Sequence, residues 1–519
     1  MKGEKTNESE VFTARSDGEA INYGFEETHI NKDTADLESG DSILARKMFL
    51  VNNTIDEIGF TSFHAKLFVL AGFGYSADSQ ICLVQGSVAT YVNYQFGRVY
   101  PYSTEILYVG LLFGALFWGF GADIIGRRKI FNVSLLLGCV FGFLTGGMNS
   151  FATYGIFLSF CSFSVGGNLA LDVTVFLEFL PFKWQWLTTL FACWWGVGQT
   201  IATLVAWAFL PNSHCESNDD CPSRLNRGWR YCWYTNSGIV LACALARLFL
   251  FKMYESPKYL VSNGRDREAV EVLQQIAKKY NRKCTLSIEQ LQECGNSYKV
   301  EETKHKLSFK KVVKVMKSHL ALLFQNRVVA RSTTIMFISW FLIGITYATY
   351  SNFIYSYIEA RGGSTGSSVF NTYRDSSIAL FVSIFGPIIA GLLILIPRVG
   401  RKGTLVIGGV ASMCFLFGYT TVRTELANLG FSSASYLAIN VYYGCLYAYT
   451  PEVLPAAART TGAGIALAMN RIAGTIAPII AYYGNTASAI PIWVCGACVG
   501  AIGLAALALP FEPSNKRSV

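Results

Sequence analysis

Twelve stretches of this chain are apolar for about the twenty residues that a bilayer-spanning helix needs, and that count constrains the fold more than any other feature. In the first half they run 66–92, 104–122, 131–148, 151–180, 186–210 and 231–251. In the second they run 332–356, 375–397, 404–422, 432–454, 461–484 and 488–509. With 52% hydrophobic and only 15% charged residues in 519, the chain is too apolar for a soluble multidomain protein. The spacing predicts an all-α polytopic membrane protein of two six-helix bundles. A net charge of +9 would fit nucleic-acid binding if it formed a patch, but the cations cluster in short loops between spans, where they orient helices. No nucleic-acid partner is expected.

The same logic divides the chain into an amino-terminal tail (1–65), a first bundle (66–251), a central loop (252–330), a second bundle (331–510) and a short tail (511–519). The central loop carries Lys278, Lys279, Arg282, Lys283, Lys310, Lys311, Lys314 and Lys317, so it is placed in the cytosol, and twelve spans return both termini to that side. The polar, acidic amino-terminal tail lacks a signal peptide's apolar core and is expected to be largely disordered. Within the loop, Ala269, Val272, Leu273 and Ile276 have helical spacing, predicting an amphipathic helix over 266–280 that packs on the cytosolic face. The plasma membrane is preferred over the endoplasmic reticulum or vacuole, and a monomer over an oligomer.

Two landmarks repeat at one separation. Gly126-Arg127-Arg128 returns 274 residues later as Gly400-Arg401-Lys402, and Glu178-x-x-Pro181 returns at the same offset as Glu452-x-x-Pro455. In each half the first motif lies between the second and third spans, and the second closes the fourth. Parallel six-helix repeats belong to carriers whose halves rock about a central site.

The loop Gly119-Phe-Gly-Ala-Asp123-Ile-Ile-Gly126-Arg127-Arg128-Lys129 resembles the signature between the second and third helices of the major facilitator superfamily, departing at Ile124, where a basic residue is usual. GWRY (228–231), ESPKYL (255–260), GFTSFHAKLFVLAGFGYSADS (59–79), GGNLALDVTVFLEFLP (166–181) and YAYTPEVLPAAARTTGAGIALAMNRIAGTIAP (447–478) extend the likeness to the branch of synaptic vesicle 2-related proteins and their fungal relatives. The resemblance implies a cytosolic latch made by Asp123, Gly126 and Arg127, with Arg128, Glu255, Gly400, Arg401, Glu452 and Arg459 in the same gating group. Pro397 stands where the second half would repeat Asp123, so that latch is expected to be one-sided. Glu452 and Arg459 form an acid and a cation seven residues apart, whereas Gln185 replaces the cation after Glu178. Glu178 is therefore expected to find its partner at Arg401 or Lys402.

Charges deep in the spans carry the functional reading. A carboxylate at the centre of a membrane helix costs about 2.5–3.5 kcal/mol on insertion scales, so it faces protein or water. Asp172 lies six residues inside Glu178, roughly 9 Å along a helix, and Asp78 and Arg471 lie about 18 and 15 Å into the first and eleventh spans. Arg247 is close enough to a helix end to extend to the interface. A buried cation wants an anion. For Arg471 that is Asp78, Asp172 or a solute anion, and protonation of the acid would couple proton movement to solute binding. Gln199, Trp340, Tyr347, Tyr350, Asn352 and Asn470 are the further candidate cavity residues. Trp340 and Phe341 stand where sugar carriers of the superfamily place paired glutamines, which disfavours a hexose. Arg471 favours an organic anion or zwitterion; Asp78 with Trp194, Trp195, Trp340 and Tyr347 keeps an organic cation as the alternative. The expected function is proton-coupled secondary transport of a small organic solute, against the alternative of a solute sensor of the same fold. No enzyme, cofactor or metal centre is indicated. Most of the fourteen cysteines lie inside spans as apolar packing groups, but Cys215 and Cys221 share a non-cytosolic loop and are expected to bridge.

Overall fold

Backbone amides in hydrocarbon can satisfy their hydrogen bonds only within their own helix, so each apolar stretch becomes one. The computed structural model describes residues 13–16, 19–22, 42–98, 102–216, 221–250, 253–295, 309–360, 368–455, 458–483, 488–510 and 512, without the side chains of 13–16, 19–22, 42, 250, 309–315, 351–360 and 481. Asn352 therefore lies outside the described side chains. After a four-residue antiparallel pair, Thr13–Ser16 with Glu19–Asn22, the described elements are helical.

Helix α1 is Ser42–Ile58. The first half follows as α2 (Ser62–Gln95), α3 (Tyr102–Ile125), α4 (Arg127–Gly147), α5 (Phe151–Val165) continuing into α6 (Asn168–Phe179), the short α7 (Leu187–Leu190) leading into α8 (Cys193–Phe209), and α9 (Gly228–Leu250). The central segment forms α10 (Pro257–Ser262), α11 (Asp266–Lys279), α12 (Ile288–Glu293) and α13 (Phe309–Leu322). The second half is α14 (Arg327–Ala360), α15 (Val369–Ser383) continuing into α16 (Phe385–Ile394), α17 (Gly400–Tyr419), α18 (Glu425–Val453), α19 (Arg459–Tyr483) and α20 (Ile490–Ala505).

Among the described residues, ten helical segments are long and apolar enough to cross a membrane. Two more, α9 and α18, are 23 and 29 residues long, which suffices at 1.5 Å per residue. Their apolar character is diluted by Arg230, Asn236 and Arg247 in one and by Ser432, Ser435 and Asn440 in the other. The twelve-span reading is consistent with this. The halves meet where α3 packs along α19 and α8 along α15. The first contact is close because glycines face each other: a Cβ on Gly119 would sit 3.0 Å from the Cα of Gly464. Cys215 and Cys221 are joined in a disulfide, with Cα atoms 5.6 Å apart.

The expectation of a largely disordered stretch through residue 65 does not extend to α1. Met48, Val51, Ile55 and Ile58 recur on one face and are buried in the main core, and burying each such side chain fully contributes about 1.5–3 kcal/mol. Polar contacts set the register. Lys47 pairs with Asp266 at the start of α11, Asp56 accepts the Phe182 amide at 2.7 Å, and Glu57 accepts the amide and hydroxyl of Thr285 at 3.0 and 2.9 Å. The amphipathic helix expected at 266–280 is α11, whose Ala269, Leu273 and Ile276 are buried. Val51→Asp should release α1, because it buries a charge with no partner. The expected result is faster cleavage within 42–58 in limited proteolysis and a lower melting temperature.

Candidate functional site

Two sets of buried charges stand out, one at the ends of the spans facing the central segment and one at mid-depth. The first is built on a turn that only glycine can make. Gly126 and Gly400 have φ of 106° and 56°, conformations that other L-residues rarely adopt. A Cβ there would also meet Glu255 Oε2 at 2.8 Å in one half and Glu512 Cδ at 2.9 Å in the other. Each turn delivers the first free amides of a helix to that acid. Glu255 accepts from the amide of Arg127 at 3.0 Å, and Glu512 accepts from the amides of Arg401 and Lys402 at 2.8 and 2.9 Å. An anion at a helix N-terminus satisfies orphan donors and meets the positive end of the helix dipole. Glu512 was not picked out from the sequence. The signal was there in an aromatic-Glu dipeptide after the sixth and the twelfth spans, Tyr254-Glu255 and Phe511-Glu512.

From these turns the arginines point into the seam between the halves. Arg127 pairs with Asp123 at 3.2 Å and with Glu178, and Glu178 also meets Arg459 at 3.4 Å from the other half. Asp123 reaches across as well, since its Oδ2 accepts the amide of Thr461 at 2.8 Å and its hydroxyl at 2.9 Å. Thr461 lies in the first turn of α19, so Asp123 supplies from the first half the anion that this helix start lacks. In the second half Arg401 pairs with Glu452. Arg401 donates to the Thr189 hydroxyl at 2.7 Å, and the Thr188 hydroxyl donates to Glu452 at 3.3 Å.

This corrects two pairings. Glu178 takes Arg127 and Arg459, not Arg401 or Lys402, and Arg401 rather than Arg459 serves Glu452. The reason is topological. Arg459 starts a helix that abuts the first half, so its nearest acid belongs to that half. Polar contacts across the seam are also found in both halves. Where Pro397 displaces the second acid, the hydroxyls of Thr188 and Thr189 bridge the seam instead. Arg128 stays exposed and contributes its amide to Glu255 at 3.4 Å.

At mid-depth, Asp78 of α2 and Arg471 of α19 form a pair across the halves. The guanidinium Nη2 lies 3.0 and 3.2 Å from the two carboxylate oxygens, and the residues are 0% and 3% exposed. Asp172 does not join them. It pairs with Arg247 at 2.9 Å inside the first half. Arg247 donates further to the carbonyls of Leu70, Ala71 and Phe131 at 2.6, 2.9 and 2.9 Å, and its guanidinium lies over the Phe131 ring. The expectation that Arg247 extends to the interface is therefore wrong, because an inward anion and three carbonyls hold it.

Around the central pair, Gln199 donates to the Tyr347 hydroxyl at 2.6 Å across the halves. Asn470 donates to the Trp340 carbonyl and the Tyr443 hydroxyl, both at 3.3 Å, and Trp340 donates to Thr450 at 2.9 Å. Tyr350 packs away from the pair, against Tyr419 and Tyr436. Sequence reasoning missed Tyr75, Tyr443 and Tyr447, which link Trp340 to the first half; the density of tyrosines over 442–449 was their signal. A void lined by Leu169, Val173, Trp340 and Tyr447 has a volume of only about 10 Å³, room for one water at most. The seam is thus closed around it.

Gly126→Ala and Gly400→Ala should each lower thermal stability in detergent by about 1–3 kcal/mol from the backbone alone, plus the cost of displacing the acid. A melting curve unchanged from the parent would show the turns are not required. Comparison with known proteins agrees with this geometry. The family described as "Sugar (and other) transporter" matches residues 89–510. MFS siderochrome iron transporter 1 of Ceriporiopsis subvermispora is 37% identical over 92% of this chain and 93% of its own. Synaptic vesicle 2-related protein of Pongo abelii is 24% identical over 90% and 82%. The E. coli proton:xylose symporter XylE shares the fold at a TM-score of 0.64, with 16% identity over 87% of this chain and 96% of its own. The chain belongs to the sugar (and other) transporter family of the major facilitator superfamily, and it is a multi-pass membrane transporter.

Proposed function

We propose that the chain is a proton-coupled secondary transporter of a small organic solute, an organic anion in preference to a hexose, and that it works by alternating access. The observation that carries this reading is the Asp78–Arg471 pair, buried at mid-depth and shared between the halves. Removing one partner from such a pair costs about 3–5 kcal/mol, so the halves part there only if something replaces each charge's counterpart. A proton on Asp78 and an anionic solute on Arg471 do both at once. Release of solute on the other side leaves Arg471 to recapture the ionised acid. Asp172 and Arg247 belong to one half, so rocking leaves their pair intact, and we assign them to structure rather than coupling. Trp340, in the place of a sugar carrier's glutamine, donates to Thr450 and offers no fan of hydroxyl partners.

In this scheme the buried ion pairs at the span ends form the cytosolic gate. Arg127, Arg128 and Lys129 with the basic central segment put that face in the cytosol, together with both termini. We take the plasma membrane as the site of action and the monomer as the working unit.

Uptake of a radiolabelled solute panel into proteoliposomes, with and without an imposed pH gradient, tests the function. Saturable binding without uptake would make the protein a sensor instead. Asp78→Asn should abolish accumulation against a gradient while preserving equilibrium exchange, because exchange requires solute rebinding without a net proton cycle. If this variant still concentrates solute under a pH gradient, Asp78 is not the coupling group. Asp123→Asn should lower maximal rate several-fold more than it changes solute affinity, since Asp123 biases a conformational equilibrium and touches no solute. A normal maximal rate would remove Asp123 from the gate.

A further inference from the structure

The hydrogen bonds of the central pair are unequal. Both oxygens of Asp78 accept from Arg471, and Oδ1 also lies 3.4 Å from the Cys82 thiol. On the guanidinium only Nη2 makes these bonds, and the buried Nε has no hydrogen-bond partner. Nε and Nη2 form the side-on edge that grips a carboxylate through two parallel bonds, so Asp78 uses half of it. The other deep arginine has no such vacancy, since Arg247 is bonded to Asp172 and three carbonyls. Among the described residues, the deep region therefore offers one cation with a half-used carboxylate edge.

Aromatic side chains gather close to the pair, Tyr443 taking a hydrogen bond at 3.3 Å from Asn470, the neighbour of Arg471. Tyr447 stacks with Tyr443 at 5.8 Å between ring centroids and meets Trp340 edge-on at 4.6 Å and Tyr75 edge-on at 5.3 Å. Tyr347 continues the wall from Tyr443 at 5.7 Å. Tyr108 comes within one turn of Arg471 from the first half: a Cβ on Gly474 would lie 2.4 Å from its ring. A saturated solute would bury area against such faces, but a flat ring adds stacked and edge-to-face contacts that a saturated ring cannot make. Resting on the transport reading above, we infer that the solute is a small aromatic monocarboxylate, its carboxylate displacing Asp78 to fill the Nε–Nη2 edge of Arg471 and its ring lying against Tyr447, Trp340 and Tyr443. An organic cation fits less well, because both oxygens of the one acid facing this wall are already occupied.

Equilibrium binding to the purified protein in lipid nanodiscs, read by calorimetry at pH 5.5 and 7.5 without any gradient, tests this. The probes are benzoate, phenylacetate and pyridine-3-carboxylate. Cyclohexanecarboxylate removes the aromaticity, benzamide removes the charge, and benzyltrimethylammonium reverses it. At least one aromatic acid should bind about tenfold or more tighter than all three comparators. Arg471→Lys should lose about tenfold of that affinity, because an ammonium cannot reproduce the planar fork. Tyr447→Leu should shrink the preference of aromatic over saturated acid, read as the ratio of the two affinities in the variant against that ratio in the parent. The inference is overturned if no aromatic acid outbinds its saturated or amide comparator, if the ring cation binds best, or if Arg471→Lys binds as the parent does. The wild-type panel decides the matter alone should the lysine variant not fold. A protein that binds aromatic acids yet never concentrates them under a pH gradient loses the coupling and keeps the solute class. One that accumulates another solute and binds no aromatic acid does the reverse.

Discussion

A charge taken out of water must be paired or neutralised, and the interior of this protein is arranged around that requirement. Asp78, Asp123, Asp172 and Glu178 are all buried, and each has an arginine within reach: Arg471, Arg127, Arg247 and, for Glu178, both Arg127 and Arg459. Whether a pair is structural or mobile depends on which helices supply its members. Asp172 and Arg247 come from one bundle and lock it. Glu178 with Arg459 and Asp78 with Arg471 come from opposite bundles, so any relative motion of the halves has to break and remake them. Buried pairs of this sort add little net stability over apolar packing, yet they are costly to leave half-made. Such a balance suits a contact that must be exchanged rather than lost.

The two halves solve the same problem with different chemistry. Both use a positive-φ glycine, an acid on the following amides and an inward arginine. They diverge at the next step. The first half sends a carboxylate, Asp123, onto the start of α19, where a charge-assisted hydrogen bond to a helix amide is strong. The second half has Pro397 in that place and relies on two threonine hydroxyls reaching the Arg401–Glu452 pair. The pseudo-symmetric seam is thus fastened by a carboxylate on helix amides in one half and by hydroxyls on an ion pair in the other.

The all-helical membrane class, the duplication and the existence of deep charges were legible in the chain because they rest on local composition and spacing. Backbone in hydrocarbon must satisfy its hydrogen bonds internally, so an apolar stretch of spanning length reads as a helix regardless of packing. A repeat offset of 274 residues survives any reading of tertiary structure. Gly126 and Gly400 could be paired by sequence alone, as could Cys215 with Cys221, because only five intervening positions leave the chain little choice. The amphipathic period of α11 was equally local.

Partner choice was not local. From sequence, Arg247 lay near a helix end and Glu178 near the basic Arg401 loop, yet an arginine side chain reaches several ångströms and the helices decide what lies within that radius. Only the packing of α9 against α2 and α4 turned Arg247 inward to Asp172, and only the abutment of α19 on α3 gave Asp123 and Glu178 their partners in the other half. The docking of Ser42–Ile58 belongs to the same class, since its apolar face is short and its value depends on the groove that α11 completes. The amino-acid order determined which charges would be buried, because hydropathy is a sum over neighbours in the chain. The tertiary structure decided which charge each would meet, because electrostatic pairing acts between neighbours in space.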